Sequence, residues 1–145
     1  MRKFFIYFAF LCVINSAFAT PPDFNPSHEF ELKKDEWARV IIIEKASNIK
    51  EIFDFRWTLF DTTNITVQSF FRRFPRHMSM SLRHGQNRYV QRILPDFNKP
   101  PNDGVKLYLS FIDFKNKKAK FRVDILDIQK KIDVEFVSPR RSENE

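Results

Sequence analysis

The sequence predicts an all-β protein, an antiparallel β-sandwich of about seven to eight strands, with a small closed β-barrel as the alternative architecture. Two observations carry this. Apolar and polar residues alternate with period two through most segments after His28, as they do when one face of a strand packs on a core. Short polar clusters separate those segments at regular spacing, and there are few helical stripes and no internal repeat.

The chain opens differently. Arg2 and Lys3 precede an apolar run from Phe4 to Ile14, and Ala17-Phe18-Ala19 supplies the small-x-small pattern that signal peptidases cut. The run is shorter than the roughly 20 apolar residues a membrane span needs, so residues 1–19 read as a cleaved signal peptide, with no transmembrane span afterwards. The expected mature chain starts at Thr20. Cys12 is the one cysteine and leaves with the signal. It follows Leu11, where a lipoprotein signal prefers a small residue, and so does not mark lipidation. The mature chain then has no disulfide, thiolate metal site or cysteine nucleophile. A single domain of this length can bury enough surface without cross-links. The cysteine-free composition, rich in Ile, Lys and Phe, suggests a bacterial source.

Residues 20–27 hold Pro21, Pro22 and Pro26 and read as an extended N-terminal arm. A single β domain is expected over 28–138. Glu29 to Leu32 and Trp37 to Glu44 read as strands joined across Lys33-Lys34-Asp35, although Glu36 could open a helical turn. Val40 to Ile43 is apolar on both faces and predicts a central strand covered from both sides. Phe53, Phe55, Trp57 and Leu59 point one way, with Asp54, Arg56 and Thr58 opposite. After an Asp61-Thr62-Thr63-Asn64 turn, Ile65, Val67, Ser69 and Phe71 form the partner strand of a hairpin. Met78, Met80 and Leu82 alternate with Ser79 and Ser81. Tyr89, Val90, Ile93 and Leu94 fit a helical stripe nearly as well as a strand, and strand is preferred. Pro95 to Gly104 reads as a stiff exposed loop. Val105 to Phe111 and Phe121 to Ile125 pair across Lys115-Asn116-Lys117-Lys118. Ile132, Val134 and Phe136 form a last strand ended by Pro139, and 139–145 is expected to be a flexible charged tail.

Charge patterning offers the main functional signal. The formal net charge of +7 falls to +5 when Arg2 and Lys3 are removed, since no acidic residue precedes Asp23. A basic balance favours anionic partners, and export makes nucleic acid the least suitable of them. Between Asp61 and Asp96 there is no acidic residue, and every fixed charge is an arginine: Arg72, Arg73, Arg76, Arg83, Arg88 and Arg92. His77 and His84 accompany them. Guanidinium forks suit bidentate grip on phosphate or carboxylate, and the interleaved Phe70, Phe71, Phe74 and Tyr89 offer ring faces. The candidate binding set is Phe70, Arg72, Arg73, Phe74, Arg76, His77, Arg83, Arg88 and Arg92. The competing reading makes these arginines edge guards paired with Asp54, Asp124, Asp133 or Glu135 on neighbouring strands.

Other chemistry finds little support. His77, His84 and distant His28 lack the tight ligand spacing of a zinc site. Ser69, Ser79 and Ser81 have no glycine-flanked elbow, and Asp61 and Asp96 are explained by turns. The Asn64-Ile65-Thr66 sequon coincides with a turn asparagine. No cofactor motif is present. Phe60, Phe70, Phe74 and Phe114 fall on the polar phase of their strands, which predicts either an apolar partner patch or β-bulges. The expectation is therefore a non-catalytic periplasmic protein that binds another cell-envelope component. A binder of anionic glycolipid or wall polymer through the arginine-rich face is the second reading, and a hydrolase of the cell wall the third.

Overall fold

A computed structural model of the protein describes residues 24–83, 85–94 and 104–140. These form nine strands: β1 (Ser27–Lys33), β2 (Trp37–Glu44), β3 (Lys50–Asp61), β4 (Asn64–Phe71), β5 (Phe74–Ser81), β6 (Arg88–Leu94), β7 (Val105–Lys115), β8 (Lys118–Leu126) and β9 (Ile132–Arg140). They build a four-stranded sheet, β1-β8-β7-β6, and a five-stranded sheet, β5-β4-β3-β2-β9. Every ladder is antiparallel. The sheets do not close on each other, so the architecture is the predicted sandwich and not the barrel. The expected signal peptide, the first four residues of the expected arm (20–23), His84, most of the expected loop (95–103) and residues 141–145 of the expected tail lie outside the described residues.

The period-two reading places the core correctly. Phe53, Phe55 and Trp57 of β3, Ile65 and Val67 of β4, Leu107, Leu109 and Phe111 of β7, and Phe121, Val123 and Ile125 of β8 are all buried between the sheets. Phe55 meets Phe30 and Phe121 edge-on across the middle. The buried Trp57 indole N–H donates to the Leu32 carbonyl at 2.9 Å, which ties the two layers together.

β1 and β2 are joined across Lys33-Lys34-Asp35 as expected, and they do not pair, because the Lys34-Asp35 turn carries the chain from one sheet to the other. Three expectations need correction. Val40 and Ile42 face the core, whereas the outer flank of β2 has no second layer among the described residues. Ile41 is buried there by its strand neighbours Ile52 and Glu135, and Ile43 is only half-buried. Pro139 does not end β9. That strand is an edge strand, and a register irregularity near Pro139 accommodates the missing N–H.

The third correction is one of phase, and at Phe60 and Phe114 it follows the bulge alternative and not the partner patch. A bulge between Trp57 and Leu59 inserts an extra residue in β3, and another between Phe111 and Asp113 does so in β7. Each bulge switches the faces beyond it. Leu59, expected inside, is exposed, while Phe60 and Phe114, expected outside, turn inward and stack at 3.8 Å and 13°. Phe70 instead packs on Trp37 outside the five-stranded sheet, and Phe74 is exposed, so the four off-phase phenylalanines do not form one patch.

The two lateral sides of the sandwich differ. On the β1/β9 side, His28 stacks on Phe136 at 4.8 Å, and Phe30 packs beside both. That side is sealed by rings. On the β5/β6 side the sheets are bridged by polar side chains, and a groove opens there.

Candidate functional site

The β4–β5 hairpin positions the groove. Core-facing Ile65, Val67, Ser69 and Phe71 of β4 stand opposite Met80, Met78, Arg76 and Phe74 of β5. At the far end of β5 Met80 enters the core, but at its start the same phase is occupied by Arg76 and Phe74. A guanidinium cannot be buried there without a partner, so the sheet edges stay apart. The resulting groove of about 200 Å³ is lined by Phe71, Arg72, Phe74, Arg76, Gln91 and Arg92.

Two guanidiniums, those of Arg72 and Arg76, face this groove, and each is held differently. Arg72 donates through Nε to Glu51 at 2.9 Å and through Nη2 to the Ile93 carbonyl at 3.3 Å, so it spans both sheets. Its guanidinium also lies over the Phe71 ring at 5.1 Å. Arg76 donates to the Tyr89 hydroxyl at 3.0 Å, Tyr89 donates to Gln91 Oε1 at 2.9 Å, and Gln91 Nε2 donates to the Arg92 carbonyl at 2.9 Å. This relay orients Arg76 without neutralising it. Arg92 borders the groove beside the irregularity in β6, but its side chain shares the outward phase of Arg88 and Val90, opposite Lys106, and forms no ion pair among the described residues.

The candidate set therefore divides. Arg72, Phe74 and Arg76 converge, Arg73 lies next to them at the hairpin tip, and Arg92 borders the groove with its side chain in the outward phase of β6. Arg83 lies beyond the other end of β5, about 25 Å away at the usual rise per residue. His77 points outward, opposite Gln68, and Phe70 lies on that outer face with Trp37. Arg88 is on the outer face of the four-stranded sheet, where it donates to Ser110 and covers the rings of Phe24 and Tyr108.

The expected carboxylate partners are engaged elsewhere. Asp54 takes a two-pronged contact from Arg39, Asp124 pairs with Arg122, and Asp133 pairs with Lys45. Among the described residues, Arg72 alone of the six clustered arginines has a carboxylate partner, and it is Glu51. Sequence reading missed Glu51 and Gln91. Gln91 was detectable in principle, since a polar residue occupies the core phase between Tyr89 and Ile93.

A second charged cavity, of about 330 Å³, contrasts with the groove. Glu31, Asp113, Lys115, Asn116, Lys118 and Lys120 line it, and each lysine has a carboxylate partner: Asp113 for Lys115, Glu31 for Lys118 and the adjoining Glu29 for Lys120. Hydrogen bonding to Lys115 and to the Phe114 N–H holds Asp113 below its ordinary pKa, while Glu29 holds Lys120 above its own. Such a mixed cluster satisfies itself. The groove has cations to spare and is the better candidate for a ligand. Comparison of the chain with known protein families, curated proteins and solved structures gives no match.

Proposed function

We propose that the chain is exported and works in the bacterial periplasm as a non-catalytic binding protein, holding an anionic cell-envelope component in the β5/β6 groove. The observation that supports this reading is the convergence of the Arg72 and Arg76 guanidiniums on one groove with a single carboxylate, Glu51, beside them among the described residues. An inward-facing arginine can serve merely to guard a sheet edge, and that would account for Arg76. It does not account for Arg72, which borders the same space from the turn and reaches the other sheet at the Ile93 carbonyl.

The size of the groove restricts the ligand. Drug-sized ligands occupy pockets of roughly 300–1,000 Å³, and about 200 Å³ accepts only a group such as phosphate, sulfate or carboxylate at the end of something larger. Exposed charge pairs contribute about 0.2–1 kcal/mol each, so one such group binds weakly. Useful affinity then requires many anionic groups presented together, as on a polymer or a lipid layer.

The test uses dextran sulfate as a soluble polyanion. The chain from Thr20 should bind it at 50 mM salt and release it at 500 mM, and Arg72→Ser with Arg76→Ser should weaken binding severalfold. Undiminished binding by that double variant would place the contact elsewhere on the basic surface and end this reading.

A further inference from the structure

We infer that one end of the sandwich is a docking surface for an anionic lipid bilayer, with exposed apolar side chains at its loop tips entering the headgroup region. This rests on the anion-binding reading of the groove and specifies the source of the anions. Antiparallel connectivity puts the β2–β3, β4–β5 and β8–β9 turns at the same end. The registers agree: Ile43 pairs with Lys50, Glu44 with Ile132, and Phe53 with Phe71. Contacts between the turns agree as well, since the Lys45 N–H donates to the Lys131 carbonyl at 2.9 Å and Arg72 reaches Glu51.

Each of these turns carries an exposed large apolar side chain. Ile49 is 54% exposed, Phe74 71% and Ile128 72%, which makes them three of the four most exposed large hydrophobic residues described. The fourth, Leu59, is turned outward by the β3 bulge. Isolated exposed apolar residues need no explanation, but three on adjoining tips at one end define a surface.

The surrounding charge selects the occupant. Lys50, Arg72 and Arg73 flank those tips, and the groove with Arg76 and Arg92 opens beside Phe74. A protein partner could match the apolar tips or the cations, whereas an anionic bilayer matches both with one planar boundary. Apolar tips enter it to a depth of about 5–10 Å while basic side chains remain among the phosphates. Each cation near an anionic surface strengthens binding by about fivefold, so charge and insertion act together where the groove alone is weak.

Sedimentation with vesicles tests this. The chain from Thr20 should bind vesicles of one-third phosphatidylglycerol in phosphatidylcholine at least about tenfold more tightly than pure phosphatidylcholine vesicles. Ile49→Ser with Ile128→Ser should lower binding to the anionic vesicles by about tenfold while leaving dextran sulfate binding unchanged. A Phe74→Trp variant should show a blue-shifted emission on adding anionic vesicles, beyond that of the parent chain with Trp37 and Trp57. Anionic vesicles that hold the double variant as well as the parent, or no shift for Phe74→Trp, would overturn the docking surface. If dextran sulfate binds and vesicles do not, the bilayer inference falls and the groove reading stands. If neither binds, both fall. Should the double serine variant fail to fold, the Phe74→Trp emission decides alone.

Discussion

Replacing Arg73 with glycine is expected to stabilise the protein while weakening its hold on anions. Phe71 and Phe74 pair at the base of the β4–β5 hairpin, so Arg72 and Arg73 are the whole loop, with φ of 52° and 66°. Positive φ at both central positions is the signature of a type I′ turn, where Asn-Gly is strongly preferred. A non-glycine residue held in this region costs about 1 kcal/mol or more, and glycine avoids that cost while losing more entropy on folding. The net gain for Arg73→Gly is about 0.5–1 kcal/mol, or about 2–5 °C in Tm for a domain of this size.

Two controls separate the causes. Arg73→Ala removes the charge beside Arg72 but keeps the left-handed strain, so it should gain less than glycine. Lys117→Gly alters the equivalent position of the β7–β8 hairpin, where Asn116 and Lys117 have φ of 52° and 60°. It should stabilise by a similar amount without touching the groove. Thermal and urea unfolding followed by circular dichroism measure all three. If Lys117→Gly stabilises and Arg73→Gly destabilises, Arg73 makes structural contacts that outweigh its strain, and the argument that this arginine is kept for binding is refuted.

The remaining predictions concern the site's charge, the bulges and the arm. Binding of dextran sulfate should be flat from pH 5 to pH 9, because guanidiniums stay protonated and His77 faces away, and a loss near pH 6–7 would implicate a histidine. Phe114→Ala should destabilise by about 2 kcal/mol, less than the 3–5 kcal/mol of a fully buried phenylalanine, because its ring is half-buried against Phe60 and Trp57. An unchanged urea midpoint would show that this ring pair contributes nothing. Asp124 is 3% exposed and accepts hydrogen bonds from Ser27 and Arg122. Asp124→Ala should cost about 1–3 kcal/mol and expose Phe24 to chymotrypsin, and equal cleavage rates would separate the arm from this contact.

The hydrophobic period located the strands because a strand with one buried face repeats every two residues regardless of its partners. It failed where the partner mattered. Thr58 and Ile112 have nothing in their side chains that announces an extra residue, yet the bulges beside them reverse the facing of Leu59, Phe60 and Phe114. Pairing was equally hidden: β1 and β2 alternate as a hairpin would, and only the assembled sheets show that β1 pairs with β8 and β2 with β3 and β9. The arginine cluster was legible as composition but not as a site. Spacing along β5 and β6 cannot show that Arg76 meets Tyr89 across two sheets while Arg83 lies a strand's length away.

The sealed and open sides of the sandwich make one physical division. On the β1/β9 side the stacked rings of His28 and Phe136, with Phe30 edge-on beside them, fill the space between the sheets. On the β5/β6 side Tyr89 and Gln91 use their hydrogen bonds to orient Arg76, and Glu51 secures Arg72, so the groove is fixed in shape but still short of negative charge. Fixing the cations before a ligand arrives lowers the ordering cost of binding. The Glu51–Arg72 pair should therefore matter for shape more than for charge. Glu51→Gln adds one unit of positive charge next to the groove, which by attraction alone would tighten polyanion binding. If position governs instead, the freed Arg72 binds less well, and the dextran sulfate affinity of Glu51→Gln falls below that of the parent chain.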